Sequence, residues 1–162
     1  KHFRKQSKSI AAILVDPTSS YSKGAVLGDR IRMINYHDDT DVFIRSFATR
    51  GSTGGLAKHI NEVADVLEAA NYDIVIFETV GVGQVEIDVV EQVDTVILTL
   101  VPESGDDIQM MKAGVVEIAD IYVINKSDRK DANKLYASLK NMLSLLDKDK
   151  KNNWIPPIIK TR

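Results

Sequence analysis

The 162-residue chain contains no cysteine. Disulfides, thiolate zinc sites and cysteine nucleophiles are therefore excluded together, and the absence fits a reducing compartment. Aromatic residues are scarce at 6 %, and no uninterrupted apolar run approaches the roughly 20 residues that span a bilayer. An excess of one charge is also missing. Lys plus Arg is 21 against Asp plus Glu 23, and a net charge of −2 gives no global attraction for nucleic acid or an anionic membrane. What is present, 44 % hydrophobic and 27 % charged residues, is the composition of a folded domain, not of a disordered or collagen-like chain. A domain of this length buries about 70 % of the surface its unfolded chain exposes, so one packed core is expected.

Four short apolar runs each stop at a polar or turn-forming residue. Ser9–Val15 stops at Asp16-Pro17, Asp73–Phe77 at Glu78, Thr95–Val101 at Pro102 and Ile121–Ile124 at Asn125. They are too short for helices and too continuously apolar for a sheet with one wet face, which predicts buried parallel strands. A weaker strand over Val42–Arg45 is expected at an edge. Between the runs, Leu56, Ile60, Val63, Leu67 and Ala70 recur at helical spacing and leave Glu62, Asp65 and Glu68 for water. Leu135, Leu139, Met142 and Leu146 repeat the pattern on a helix that Asp131 could cap. Lys1–Ser7 reads as the far end of a further helix, and residues 148–153 as a solvated loop. Alternating strand and helix predicts an α/β fold with a doubly wound, mostly parallel sheet and right-handed crossovers. No repeat, low-complexity segment or interdomain linker interrupts it.

Ligand chemistry in such sheets sits at the carboxyl ends of the strands. Those ends carry Asp16, Glu78, Pro102–Asp107 and Asn125–Asp128, and a concentration there, not at both ends, is the first functional indication. The sharpest motif is Asn125-Lys126-Ser127-Asp128. A carboxylate at Asp128 can accept from the N1–H and 2-amino group of guanine, whereas adenine offers an unprotonated N1 and no 2-amino donor. Lys126 would lay its aliphatic stem along the base, and Asn125 would brace the loop and reach the purine edge. The plainer alternative is a polar strand-to-helix turn with Asp128 or Ser127 capping the next helix.

Glu78-Thr79-Val80-Gly81-Val82-Gly83-Gln84 is the second motif. An acid at that strand end can hold Mg²⁺ through water, and Gly81 lets a backbone N–H approach a terminal phosphate. Gln84, able to donate and accept, is a candidate for orienting the attacking water. The alternative is a glycine-rich turn with a helix-capping acid. Asp16 and Asp29 are candidate magnesium carboxylates, or turn and cap residues. Arg45 and Arg50, around Ser46–Thr49, suit phosphate or a partner's carboxylate, with plain solvation as the alternative. The polar stretch from Pro102, followed by Gln109 and Lys112, could form a third switch. His2, His37 and His59 lack metal-ligand spacing and are expected at the surface, Met110 and Met111 in core or subunit contacts. The G-x-x-x-x-G-K-[ST] loop that cradles phosphates in a GTPase does not occur in the 162 residues.

Val15–Thr18, Gly24–Met33, Phe43–Gly51, Gly54–Ala57, Glu78–Gln84, Asp106–Gln109, Lys112–Gly114 and Asn125–Asp128 together resemble the MeaB/ArgK-type P-loop GTPases, chaperones of methylmalonyl-CoA mutase. The resemblance implies GTP as substrate, Mg²⁺ as cofactor, and hydrolysis that gates adenosylcobalamin loading and protection of that mutase or a related acyl-CoA mutase. It implies guanine binding by Asn125, Lys126 and Asp128, and organisation of magnesium and water by Glu78, Asp16 and Asp29. Residues 1–162 would be a partial G domain: switch I at about 16–55, switch II at 78–84, an additional mutase-facing switch at about 102–112 with Lys112, and the guanine motif at 125–128. The phosphate loop and first strand would precede Lys1. A loop contacting the guanine carbonyl would follow Ile158–Thr161, and a dimerisation arm would lie beyond it, making the full-length protein a homodimer. The chain alone would then be inactive. A cytoplasmic setting is implied, or the mitochondrial matrix in a eukaryote. An ATP-dependent kinase or ATPase linked to amino-acid transport, and a nucleotide-sensing module with little turnover, are the rival readings.

Overall fold

Ile10–Val15 is six consecutive apolar residues, a run suited to a strand covered on both faces. In the computed structural model all six are buried within β1 (Ile10–Asp16). The structure describes residues 1–16, 33–36, 38–48, 55–79, 90, 92–102, 117–146 and 154–162. The chain divides into two compact units, Lys1–Gln92 and Val93–Arg162, each built on its own three-stranded parallel sheet.

In the first unit β1 is central, with β2 (Val42–Ala48) on one side and β3 (Ile74–Thr79) on the other, all parallel. Ile13 pairs with Arg45 and Phe77, and Leu14 with Ser46 and Glu78. Both flanking strands outrun their apolar sequence. β2 continues three residues past Arg45 and β3 two past Phe77, because the ladder to β1 goes on pairing Ala48 with Asp16 and Thr79 with Val15.

Helix α1 (Gly55–Ala69) joins β2 to β3. Ile60 and Leu67 are buried while Glu62, Asp65 and Glu68 face water, as their spacing predicts. Ala70 does not continue the stripe. It is exposed, since the helix closes there with Asn71 at φ 57 and bonds from Asn71 N to Glu68 O (2.9 Å) and Tyr72 N to Leu67 O (3.4 Å). This is a Schellman closure with Asn in the left-handed position.

Polar residues also crowd the amino-terminal end of this sheet, which corrects the expectation that they collect at the carboxyl ends. The basic segment Phe3–Gln6 is a 3-10 turn ended by Ser7 at φ 58. From it Arg4 forks onto Asp39, Nε to Oδ2 at 2.8 Å and an Nη to Oδ1 at 2.9 Å, and reaches Asp41 at 2.6 Å. Lys8 Nζ donates to Asp73 Oδ1 (2.8 Å), and the Ser9 N–H and hydroxyl donate to Asp73 Oδ2 (2.8 and 3.0 Å).

The second unit orders β4 (Ile97–Leu100), β5 (Ile121–Ile124) and β6 (Ile158–Lys160) with β5 central and all pairs parallel. Leu100, Tyr122 and Ile124 form one core with Ala119 and with Ala132, Leu135 and Leu139 of helix α2 (Ala132–Leu146). Met142 packs against it partly buried. β4 is shorter than the run Thr95–Val101. Before it, Val96 N–H is taken by the Asp120 carboxylate (2.8 Å), and Val96 O accepts from Asp120 N and Ile121 N. Full burial, expected of every apolar strand, is corrected for two: Ile76 of β3 is 41 % exposed and Ile97 of β4 58 %.

Leu139 is fully buried at the centre of the second core. Leu139→Ala is expected to cost about 2–5 kcal/mol in urea denaturation, the loss typical of a buried Leu truncated to Ala. The Lys8 ammonium, with the Ser9 N–H and hydroxyl, holds the Asp73 carboxyl at about 2 against its ordinary 3.8. The folded state therefore takes up this proton later than the unfolded state. The contact stabilises fully above pH 3.8 and is lost as pH falls through about 2. Asp73→Asn is expected to lower stability at neutral pH, with the gap to wild type closing over this acid window in pH-dependent denaturation.

Candidate functional site

The loop after β5 is assembled from both sides of that strand. Asn125 N donates to Leu100 O (2.9 Å), carrying the β4–β5 ladder one step beyond Ile124. The Asn125 side chain turns back into its own loop. Its Oδ1 accepts from Lys126 N (2.8 Å) and lies 3.3 Å from the Thr161 hydroxyl. Lys126 itself stands at φ 54, a left-handed conformation unfavourable for a residue with a Cβ, and the Asn125 bond helps to hold it. Arg129 N donates to Lys126 O (3.0 Å) and closes the next turn. Asn125 is half-buried, whereas Lys126 and Asp128 are exposed.

The same loop is laced to the residue after β6. Ser127 N donates to Thr161 O and Thr161 N to Ile124 O, both at 2.9 Å. Lys160 anchors β6 to the first turns of α2, with Nζ 2.8 Å from Asn133 Oδ1 and 4.6 Å from the Tyr136 ring centroid. Asp131 occupies the N-cap position of α2 by its backbone: its carbonyl accepts from Leu135 N at 2.9 Å, and its φ is 73. Sequence reasoning placed Thr161 only at the end of a strand and assigned nothing to its side chain. A hydroxyl just past a strand that parallels β5, at the same end as Asn125, was the available signal.

In the first unit Asp16 is the last residue of β1. Glu78, expected just beyond its strand, is instead the fifth residue of β3, exposed and paired opposite Leu14. The ladder to β1 continues through Thr79 and keeps it inside the sheet. Asp16 lies two positions past that pairing partner, about 6–7 Å further along the neighbouring strand. The register thus brings these two positions to one end of adjacent strands. It does not bring Arg45 to them. Arg45 pairs opposite Ile13, and alternation puts it on the other face from the Ser46–Leu14–Glu78 row, exposed on β2 three residues before that strand ends.

Gly81, Gln84, Asp29, Arg50 and Lys112 lie outside the described residues, as do His37, Met110, Met111 and most of the three switch regions. His2 is exposed, 3.1 Å from Gln6 Nε2 and edge-on to Phe3. Among the described residues no three His, Cys, Asp or Glu groups converge on a metal-sized site, and no helix is long and apolar enough to cross a membrane.

Residues 1–162 match the family described as Methylmalonyl Co-A mutase-associated GTPase MeaB. A protein of Pyrococcus abyssi named as a GTPase is 51 % identical over 162 residues, which are 99 % of this chain and 50 % of that protein. The mitochondrial methylmalonic aciduria type A homolog of Mus musculus is 38 % identical over 163 residues, 99 % of this chain and 39 % of the mouse protein. The crystal structure of LAO/AO transport system kinase superposes with a TM-score of 0.65 at 28 % identity, covering 99 % of this chain and 45 % of that one. The chain thus spans about half the length, or less, of the relatives it matches. The structural likeness makes the parallel α/β fold that of the P-loop GTPases. Matched along its whole length and half identical to an archaeal protein named for the activity, the chain belongs to the MeaB family of methylmalonyl-CoA mutase-associated GTPases.

Proposed function

We propose that the full-length protein binds and hydrolyses GTP and uses that cycle to gate adenosylcobalamin loading and protection of methylmalonyl-CoA mutase, or of a related adenosylcobalamin-dependent acyl-CoA mutase. The observation that carries the guanine reading is the loop at 125–128: its asparagine oxygen is spent internally while Lys126 and Asp128 stay exposed. Asp128 accepts from guanine N1–H and the 2-amino group. Two charge-assisted bonds at about 1.5–3 kcal/mol each favour guanine over adenine by about 10²–10⁴-fold. Lys126 covers the base face with its methylene stem, and Asn125 directs its amide at the purine edge.

Magnesium fits the first unit's chemistry. The ion needs only one or two carboxylates beside water and phosphate oxygens, and Asp16 and Glu78 stand on adjacent paired strands. Asp16, Glu78 and Asp29 would hold it, and bound there it neutralises charge building on the phosphates. The Gly81 N–H senses the terminal phosphate, and Gln84 orients the water that attacks it. Arg45, on the far face of the sheet row, suits a partner's carboxylate better than the nucleotide, whereas Arg50 and Lys112 serve phosphate or partner. The partner is the mutase, met through residues of about 102–112, and the full-length protein works as a homodimer. Its compartment is the cytoplasm, or the mitochondrial matrix in a eukaryote, as the mouse relative's name supports.

An ATP-dependent kinase is the second reading, favoured by the superposition on a protein named as a transport system kinase. Base choice separates the two. Full-length protein is expected to bind GTP at least about 10²-fold more tightly than ATP. Asp128→Asn is expected to lose a similar factor for GTP and to gain affinity for XTP, whose 2-oxo group accepts from the new amide. Equal ATP and GTP affinities in the wild type, by calorimetry, would sink the guanine assignment.

Coupling to the mutase is tested by pull-down with and without GTP, and by turnover of Glu78→Ala. That variant is expected to hydrolyse GTP about 10²-fold more slowly and to lose mutase protection with it. Mutase protection that survives lost hydrolysis would mark a nucleotide-sensing binding module instead.

A further inference from the structure

We infer that Ser46 is a positioning residue for magnesium at the carboxyl end of the first sheet, its hydroxyl accepting a hydrogen bond from a water of the bound ion. This rests on the reading of Asp16 and Glu78 as magnesium carboxylates. Ser46 pairs opposite Leu14 of β1, and Leu14 pairs on its other side opposite Glu78. Residues opposed in this way point to the same face, so Ser46 and Glu78 share one face of the sheet with Leu14 between them. The strand period of two puts position 16 on that face as well, one row nearer the strand ends. With strands about 4.8 Å apart and a rise of about 3.3 Å per residue, the three positions form a triangle with sides of about 8–10 Å. Magnesium keeps several of its waters beside one or two carboxylates, and those waters need acceptors of their own.

The Ser46 hydroxyl is free to be one of them. Its oxygen is buried and has no hydrogen-bond partner, a condition that among the described residues it shares only with Asn61 Oδ1 of α1. A buried hydroxyl left unpaired loses its hydration without return, and an alanine at the same place would carry no such penalty. Folded proteins keep few groups in that state, and one kept on the face of a metal site is explained by what binds there. Ser46 as a whole is half-buried, which places it at the margin of the site and not in the core. The chemistry also suits the role. A water whose lone pair is on a metal can only donate, and a serine oxygen can accept. Unlike a third carboxylate, the hydroxyl adds no charge beside two that already repel each other. Ser46 therefore acts on the ion through its water, while the charge comes from Asp16 and Glu78.

The experiment titrates Mg²⁺ into the GDP complex of the full-length protein by calorimetry and, in parallel, follows urea denaturation of the metal-free protein. Wild type is compared with Ser46→Ala, Ser46→Thr, Asp16→Asn and Glu78→Gln. Ser46→Ala is expected to bind Mg²⁺ about three- to tenfold more weakly, the worth of one hydrogen bond. Its urea midpoint without metal stays level or rises, because the alanine removes an unpaired buried group. Ser46→Thr, which keeps the hydroxyl, restores the Mg²⁺ affinity. Unchanged Mg²⁺ affinity in Ser46→Ala, with a loss in Asp16→Asn or Glu78→Gln, overturns the inference and leaves the carboxylate site standing. A midpoint that falls in metal-free Ser46→Ala overturns it too, since the hydroxyl would then serve the fold. Unchanged affinity in both carboxylate variants is a different result, which removes the magnesium site itself and the inference with it.

Discussion

A parallel strand that is paired on both sides and covered on both faces has no place for a charged side chain except at its ends. β1 obeys this fully: six buried apolar residues lie between Ser9 and Asp16. β5 is half-buried at Ile121 and Val123 and fully buried at Tyr122 and Ile124, and Tyr122 carries its one polar side chain. Burial, together with the negative charges of Asp120 and Glu117, pushes that phenol up to about 12, so it stays neutral and tolerates its surroundings. The next residue able to carry chemistry is Asn125, directly after the strand. The position of the 125–128 loop is thus a consequence of where the enclosed central strand ends.

Polar crowding alone does not mark the functional end of a sheet. The amino-terminal end of the first sheet is rich in charge, and its groups answer one another. Arg4 spans Asp39 and Asp41, raising its own affinity for the proton and lowering that of Asp39, and Asp73 receives Lys8 and two groups of Ser9. Those contacts tie the segments before β1, β2 and β3 into one base. At the other end of the strands Glu78 is exposed, and in the second unit so are Lys126 and Asp128, while only Asn125 is turned inward. Among the described residues, the amino-terminal groups are thus paired with one another while these others stand exposed.

Strand and helix identity was legible because each depends on local burial. The runs at 10–15 and 121–124 and the stripes through Ile60 and Leu67 or Leu135 and Leu139 report burial directly. Ends were less legible, since a strand stops where its neighbour stops. Leu14 and Val15 keep Glu78 and Thr79 in the sheet although neither residue is apolar, and Asp120 takes Val96 out of it although Val96 is. Pairings between remote segments were not legible at all. Arg4 with Asp39 and Asn125 with Thr161 join positions 35 and 36 residues apart, and no periodicity encodes them. Residues 125–128 could be singled out because they are contiguous, whereas Thr161, which contacts Asn125 from 36 residues away, could not.

That separation links recognition to the integrity of the sheet. The loop's unfavourable Lys126 conformation is held by Asn125, which also contacts Thr161. Thr161 is bonded to the loop and to β5, while the adjoining Lys160 anchors β6 to α2. Opening the end of β6 would free both the Asn125 amide and the Ser127 N–H, so a ligand that needs the amide fixed must bind the closed form better than the open one. By linkage the ligand then holds β6 closed to the same extent that β6 prepares the loop. The conformation of the 125–128 loop is accordingly a property of the β5–β6–α2 unit, with the four-residue motif as its exposed edge.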